Sequence, residues 1–361
     1  MRFRYLFLIL VLLLATACQG NGEDPGEQEA AETPQEAVTL TLMTHDSFDA
    51  SEEVLAQFEE EHGVQLELLP SGDAGTALNQ AILARDNPLA DVFFGVDNTF
   101  LSRALDGDIF EAYESPVLEN IPDALQLDDS SRLLPVDYGD VCLNYDIAYF
   151  EDNDLAPPAS LDALVEEQYA GLLVAENPAT SSPGLAFLLA TIAQYDMEGE
   201  YTYLDYWSDL RDNDVLITND WNEAYYGNFS VASDGNRPLV VSYASSPPAE
   251  VIFADPPLDE APSGVITADG ACFRQVEFVG ILSGTEHRDL AEALIDFLLG
   301  ETFQEDIPLR MFVFPANENA ELPEEFLEYT EVPEVTANVD PQRIEENREA
   351  WIEAWTDTVL R

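Results

Sequence analysis

The chain has 361 residues, 46% of them hydrophobic, enough for one large or two medium cores. Seventy-two acidic residues oppose 13 basic ones, all of them arginine, for a formal net charge of −59. Such a field repels nucleic acid and anionic membranes, attracts cations and keeps a chain soluble; its plainest source is adaptation to salt or an arginine-biased genome.

In chain order, Arg2 and Arg4 precede an apolar run over residues 5–14, too short for a finished membrane span and built like a secretory signal. Ala15, Thr16 and Ala17 directly before Cys18 resemble the bacterial lipobox. Residues 1–17 are therefore expected to be a lipoprotein signal peptide and Cys18 the lipidated first residue, with an ordinary signal and a chance cysteine as the alternative. Residues 18–37 are rich in Glu, Gly and Pro and poor in aromatic and branched residues, the composition of a flexible acidic tether. Its root-mean-square reach is roughly 25 Å.

From residue 38 the pattern alternates strand and helix, as in an α/β fold. "VTLTLMT" (38–44) reads as a buried strand, Asp49 with Glu52 as a helix entry, and Val54, Leu55 and Phe58 as the stripe of a helix ended by Gly63. A strand at 64–69, a helix at 75–84 and a strand at 90–96 follow, predicting a parallel sheet covered by helices. Ligands of such sheets bind beyond the carboxyl ends of the strands, which brings His45, Asp46, Ser47, the loop at 71–75 with Asp73 and Ala74, and Asp97 with Asn98 to one crevice. Further on come an extended crossing at 136–146, strands at 171–178 and 238–247, and helices at 183–195, 289–300 and 301–307. A C-terminal helix follows, with Trp351, Ile352, Trp355 and Val359 on one face.

"MTHDSF" sets a histidine, an aspartate and a serine side by side, but adjacent strand residues alternate between faces and cannot form a nucleophile–base–orienter chain. His45, His62 and His287 are scattered, and no metal-binding, nucleotide-binding or nucleophile-elbow motif is present, so neither metal nor cofactor is expected. "PATSSPGLAF" opens an apolar helix with Ser181 and Ser182, an ordinary helix cap or a receptor for a phosphate or hydroxyl group. Trp221, Tyr225, Tyr226 and Tyr243 stand near turns and, with carboxylates, suit a flat cationic heteroaromatic ligand. Outside the cytoplasm Cys142 and Cys272 are expected to pair, with buried free thiols second and a catalytic thiol third.

The ordered set "THDSF", "SGDAG", "ADVFFGVDN", "PVDYG", "NPATSSPGL", "WNEAYY", "VVSYASSP", "FQEDIP", "MFVFPAN" and "NREAWIEAW" spans nearly the whole mature chain. It resembles the substrate-binding proteins of bacterial thiamine ABC importers, within the type 2 periplasmic-binding-protein fold. The resemblance implies two α/β lobes, each a sheet flanked by helices, that close on thiamine or its mono- and diphosphate without chemistry. The ligand would pass to an ABC permease whose ATPase is a separate subunit, the binding protein acting as a monomer held to the membrane by its lipid alone. The implied division is residues 38–136 and 275–345 for the first lobe, 137–274 for the second and 346–361 for a C-terminal helix. Hinge crossings fall at 137–139 and 274–277, with the two cysteines nearby.

Carried over by position, Asp73 would pair with the aminopyrimidine or the ligand's cation, and Ser181 with Ser182 would receive its hydroxyethyl or phosphate end. Trp221 and Tyr243 match the aromatic walls. Phe312 stands where a tryptophan can occur, and His45 where an aromatic often lines the cleft. Asp97 and Asn98 are further cleft candidates. The alternatives are a thiamine-degrading enzyme with Cys142 as nucleophile, or capture of another cation, a polyamine or iron, the latter through Tyr225 and Tyr226.

Overall fold

The computed structural model describes residues 38–195, 199–254, 256 and 258–361. The expected signal peptide, Cys18 and the tether lie outside the described residues. Among the described residues eleven strands form one sheet: β1 (Val38–Thr44), β2 (Val64–Pro70), β3 (Val92–Asp97), β4 (Phe110–Glu111), β5 (Leu134–Asp146), β6 (Leu173–Glu176), β7 (Leu216–Thr218), β8 (Leu239–Tyr243), β9 (Ser263–Ile266), β10 (Phe273–Leu282) and β11 (Phe314–Pro315).

The spatial order is β2-β1-β3-β10-β5-β8-β6-β7, with β4 on β10 and both β9 and β11 on β5. β1 runs parallel to β2 and β3, as the β-α-β pattern predicts, and β6 runs parallel to β7 and β8. The two long strands β5 and β10 lie antiparallel between these groups and pair with each other over Phe273↔Val141 to Val279↔Leu134. β3 is buried at every position, so "VFFGVD" shows the continuous apolar run of a strand covered on both faces, not alternation.

The helices follow their sequence signals closely. Glu52–His62 buries Phe58 and ends at Gly63, whose φ of 64° is the left-handed conformation that glycine adopts freely. Its N-cap is Ser51 rather than Asp49, whose carboxylate pairs with Arg310 at 3.6 Å beside the cavity. Ser182–Tyr195 is apolar on nearly all sides and buried along its first eleven residues. Its Phe187 packs edge-on against Trp207 at 5.6 Å, and Trp207 against Trp355 at 5.4 Å. Trp351 and Trp355 are thus packing residues of the C-terminal helix, which runs Pro341–Val359, five residues earlier than the expected start at 346 because Asp340 caps it and Pro341 opens it. The expected helix at 301–307 is two short ones, Glu301–Gln304 and Ile307–Arg310. Pro308, which lacks an N–H, is accommodated at the start of the second.

Cys142 and Cys272 form a disulfide, both fully buried, next to the Phe273↔Val141 pairing of β10 and β5. The catalytic-thiol alternative therefore loses its nucleophile, since a bonded sulfur offers no thiolate.

Candidate functional site

A cavity of about 290 Å³ opens where the loops after β1 and β2 face the end of β8, above β10. Two loops of the first group are tied together at its edge. Asp46 N–H donates to the Gly72 carbonyl (3.0 Å), and Gly72 N–H donates back to Asp46 Oδ1 (2.9 Å). His45 fits here because Gly95 has no side chain: a Cβ at that position would stand 2.5 Å from the imidazole Cδ2. His45 Nδ1 accepts the Ser47 N–H (3.1 Å), which leaves the ring proton on Nε2, 3.4 Å from the Glu277 carboxylate. Burial, the largest single influence, would lower the His45 pKa, but Glu277 together with Asp73 and Asp46 outweighs it and the net shift is upward.

Asp73 caps the helix Ala74–Leu83, accepting the Ala74 N–H at 2.7 Å, and its second oxygen accepts the Trp221 N–H at 3.4 Å. Burial pushes this carboxyl upward against those hydrogen bonds. Trp221 starts the short helix Trp221–Tyr225, capped by Asp220, and its ring stacks on Tyr225 at 4.8 Å and 17°. Its indole N–H donates to Ser242 Oγ (2.9 Å), fixing the plane of the wall. Tyr243 forms another wall, donating its hydroxyl to Gln275 Oε1 (3.2 Å). Gly139 makes room for that ring, because a Cβ there would lie 2.9 Å from Tyr243 Cδ1. Phe312 meets Phe253 edge-on at 5.4 Å and is held with φ at 56°, a conformation rare outside glycine, its carbonyl accepting the Ser245 hydroxyl.

Of the residues expected at the site, His45, Asp46, Ser47, Asp73, Ala74, Ser182, Trp221, Tyr225, Tyr243 and Phe312 line the cavity. Three expected contacts stand behind the lining instead. Asp97 is fully buried, accepting the Thr99 N–H at 2.6 Å and the Ser182 hydroxyl; burial raises its pKa to about 6. Asn98 spends its amide on β10, donating to the Arg274 carbonyl (3.1 Å) and accepting from Val276 N–H (3.1 Å). Ser181 is fully buried at the helix entry, where its carbonyl accepts the Leu185 N–H. These three hold the walls; the polar face of the cavity belongs to their neighbours.

Sequence reasoning missed Glu277, Gln275, Phe253 and Arg310 as lining residues. Glu277 and Gln275 had a signal: both interrupt the apolar run "FRQVEFVGIL", whose strand is buried at eight of its ten positions. Arg310 is already engaged, with Asp49 and Asp306 at 3.6 and 3.8 Å and with Ser51 Oγ. The cavity therefore offers carboxylates and π faces, the complement of a flat cation. The Tyr225 ring faces the cavity while its hydroxyl is turned away to Glu250, whose carboxyl burial raises to about 7. Among the described residues no cluster of three or more metal-ligating side chains occurs.

Residues 87–338 match the family described as "Bacterial extracellular solute-binding protein". The chain is 29% identical to the thiamine-binding periplasmic protein of Escherichia coli K12 over 329 residues, 89% of this chain and 94% of that one. It is 27% identical to the thiamine-binding periplasmic protein of Brucella suis over 333 residues, 90% and 92% of the two chains. A solved structure titled "Periplasmic thiamin binding protein" superposes with a TM-score of 0.78 at 28% identity, covering 90% of this chain and 97% of that one. The fold is accordingly the two-lobed α/β type 2 periplasmic-binding-protein fold, and the chain belongs to the bacterial extracellular solute-binding protein family.

Proposed function

We propose that this protein captures thiamine, or its mono- and diphosphate, outside the cytoplasm and delivers it to an ABC permease. The observation that carries this reading is one cavity combining the stacked Trp221–Tyr225 pair, Tyr243 and Phe312 with the carboxylates Asp73 and Glu277. Thiamine is a neutral aminopyrimidine joined to a permanently cationic thiazolium, two flat rings that such walls stack while the carboxylates answer the charge. The pyrimidine or the cation would meet Asp73, and the hydroxyethyl or phosphate end would meet Ser182 at the start of the helix Ser182–Tyr195. Lobes of residues 38–136 with 275–345, and 137–274, would close about β5 and β10, excluding water and strengthening the electrostatics. Lipid attachment at Cys18 would hold the chain at the membrane.

The disulfide at Cys142 removes the nucleophile that a thiamine-degrading activity would need. The Tyr225 hydroxyl, engaged by Glu250, is not presented beside that of Tyr226 for iron. Thermal-shift titration with thiamine, its two phosphates, spermidine and ferric iron tests the reading. Stabilisation by the thiamines and none by the other two is expected; no shift with any thiamine at millimolar concentration contradicts it.

A further inference from the structure

Three carboxyl side chains form a row across three hydrogen-bonded strands. Glu277 on β10 stands directly opposite Asp97 on β3 and directly opposite Asp137 on β5. Directly opposed residues share one face of a sheet, and like charges in that position destabilise it. Asp97 is fully buried, Asp137 is 2% exposed, and the Glu277 side chain, 13% exposed, alone reaches the cavity. The strand register shifts immediately after Glu277 against β5 and one residue later against β3, irregularities that aim side chains at a site. Nothing in a packing role calls for three acids in the centre of an apolar sheet.

We propose that the row Asp97–Glu277–Asp137 is the element that selects a positively charged ligand, with one proton held by the Asp137–Glu277 pair in the empty cleft and released when the cation docks against Glu277. The proposal rests on the thiamine reading and adds the residue that reads the charge, together with the proton exchanged for it. Two directly opposed carboxylates, Asp137 buried and Glu277 only 13% exposed, resist ionising together without a cation. Asp97 has donors that stabilise its charge, the Thr99 N–H and the Ser182 hydroxyl. Asp137 Oδ2 is buried with no hydrogen-bond partner among the described residues, so the proton resides there. Burial and the Glu277 charge both push the Asp137 carboxyl well upward.

The other groups around Glu277 leave the cation's place open. From the loop after β1, His45 Nε2 stands 3.4 Å from Glu277 without a hydrogen-bond partner among the described residues, and Asp46 and Asp73 add negative charge beside that ring. Tyr243 on β8 brings a neutral hydroxyl. Arg310, the arginine at the cavity, is neutralised by Asp49 and Asp306. A thiazolium above Glu277 supplies the missing positive charge, and the Asp137 proton passes to solvent.

The test is calorimetric titration of thiamine in two buffers of different ionisation enthalpy near neutral pH. The expected result is a buffer-dependent heat equivalent to a substantial fraction of one proton released, with affinity tightening by up to about tenfold per pH unit. The neutral pyrimidine half alone, 4-amino-5-hydroxymethyl-2-methylpyrimidine, releases none. In Asp137→Asn, thiamine titration in the same two buffers shows no release. Thiamine binding with heats identical in both buffers overturns this proposal and leaves the capture reading standing; absence of thiamine binding overturns both.

Discussion

Replacing Trp221 with alanine removes the wall on which the capture mechanism depends most. The indole is stacked 4.8 Å from Tyr225 and pinned by its N–H to Ser242. Stacking a flat ligand on it contributes about 1 kcal/mol beyond buried area, and a desolvated cation–π contact about 2 kcal/mol. Together they correspond to roughly 150-fold in Kd. Trp221→Phe keeps a face but loses the hydrogen bond to Ser242, a cost of about 1 kcal/mol, or roughly fivefold. Quenching of the intrinsic fluorescence is unsuited to a variant lacking this tryptophan, so calorimetry is the assay, with circular dichroism to establish that the fold is retained. An alanine variant that is folded and binds thiamine within about threefold of the parent refutes the stacking argument.

Other consequences concern stability. Opening the disulfide with Cys142→Ser and Cys272→Ser releases a loop with a sequence separation of 130, worth up to about 5 kcal/mol by chain entropy; an unchanged melting temperature would show the bridge to be ornamental. Asp97 has a folded pKa raised from 3.8 to about 6, so its contribution to stability is fully present below 3.8 and lost as pH rises through about 6. The stability of Asp97→Asn relative to the parent should therefore improve by about 2 kcal/mol from pH 4 to pH 7 in the empty protein, whereas a pH-independent difference would contradict the assignment. With 72 acidic and 13 basic residues, mutual repulsion should be relieved by screening. The melting temperature should climb as sodium chloride is raised from low concentration, and a flat profile would exclude charge repulsion as a significant load.

The long buried strands were legible because their apolar, β-branched runs need cover on both faces, as in β1, β3 and β8. The crevice was legible for a topological reason: parallel strands deliver their following loops to one edge, and His45, Asp73 and Ala74 meet there. Short elements escaped notice because two to four residues carry no period, as in β4, β9 and β11. The helix entry at Ser51 was misplaced because Asp49, an equally good cap by type, is drawn to Arg310, a partner 261 residues along the chain. Asp97, Asn98 and Ser181 looked like ligand contacts by position, yet their polar atoms are engaged in or buried within the walls. Glu277 faces the cavity only because β10 lies beside β3 and β5, a pairing of distant segments that local patterns do not encode.

The central claim is that this cleft recognises thiamine as a stacked cation. Calorimetric titration of thiamine into the purified protein tests it most directly. Saturable, one-to-one binding, lost in Trp221→Ala and weakened in Glu277→Gln, is the result the account predicts. The absence of saturable heat at millimolar thiamine, in folded protein at the salt concentration where it is most stable, would contradict it.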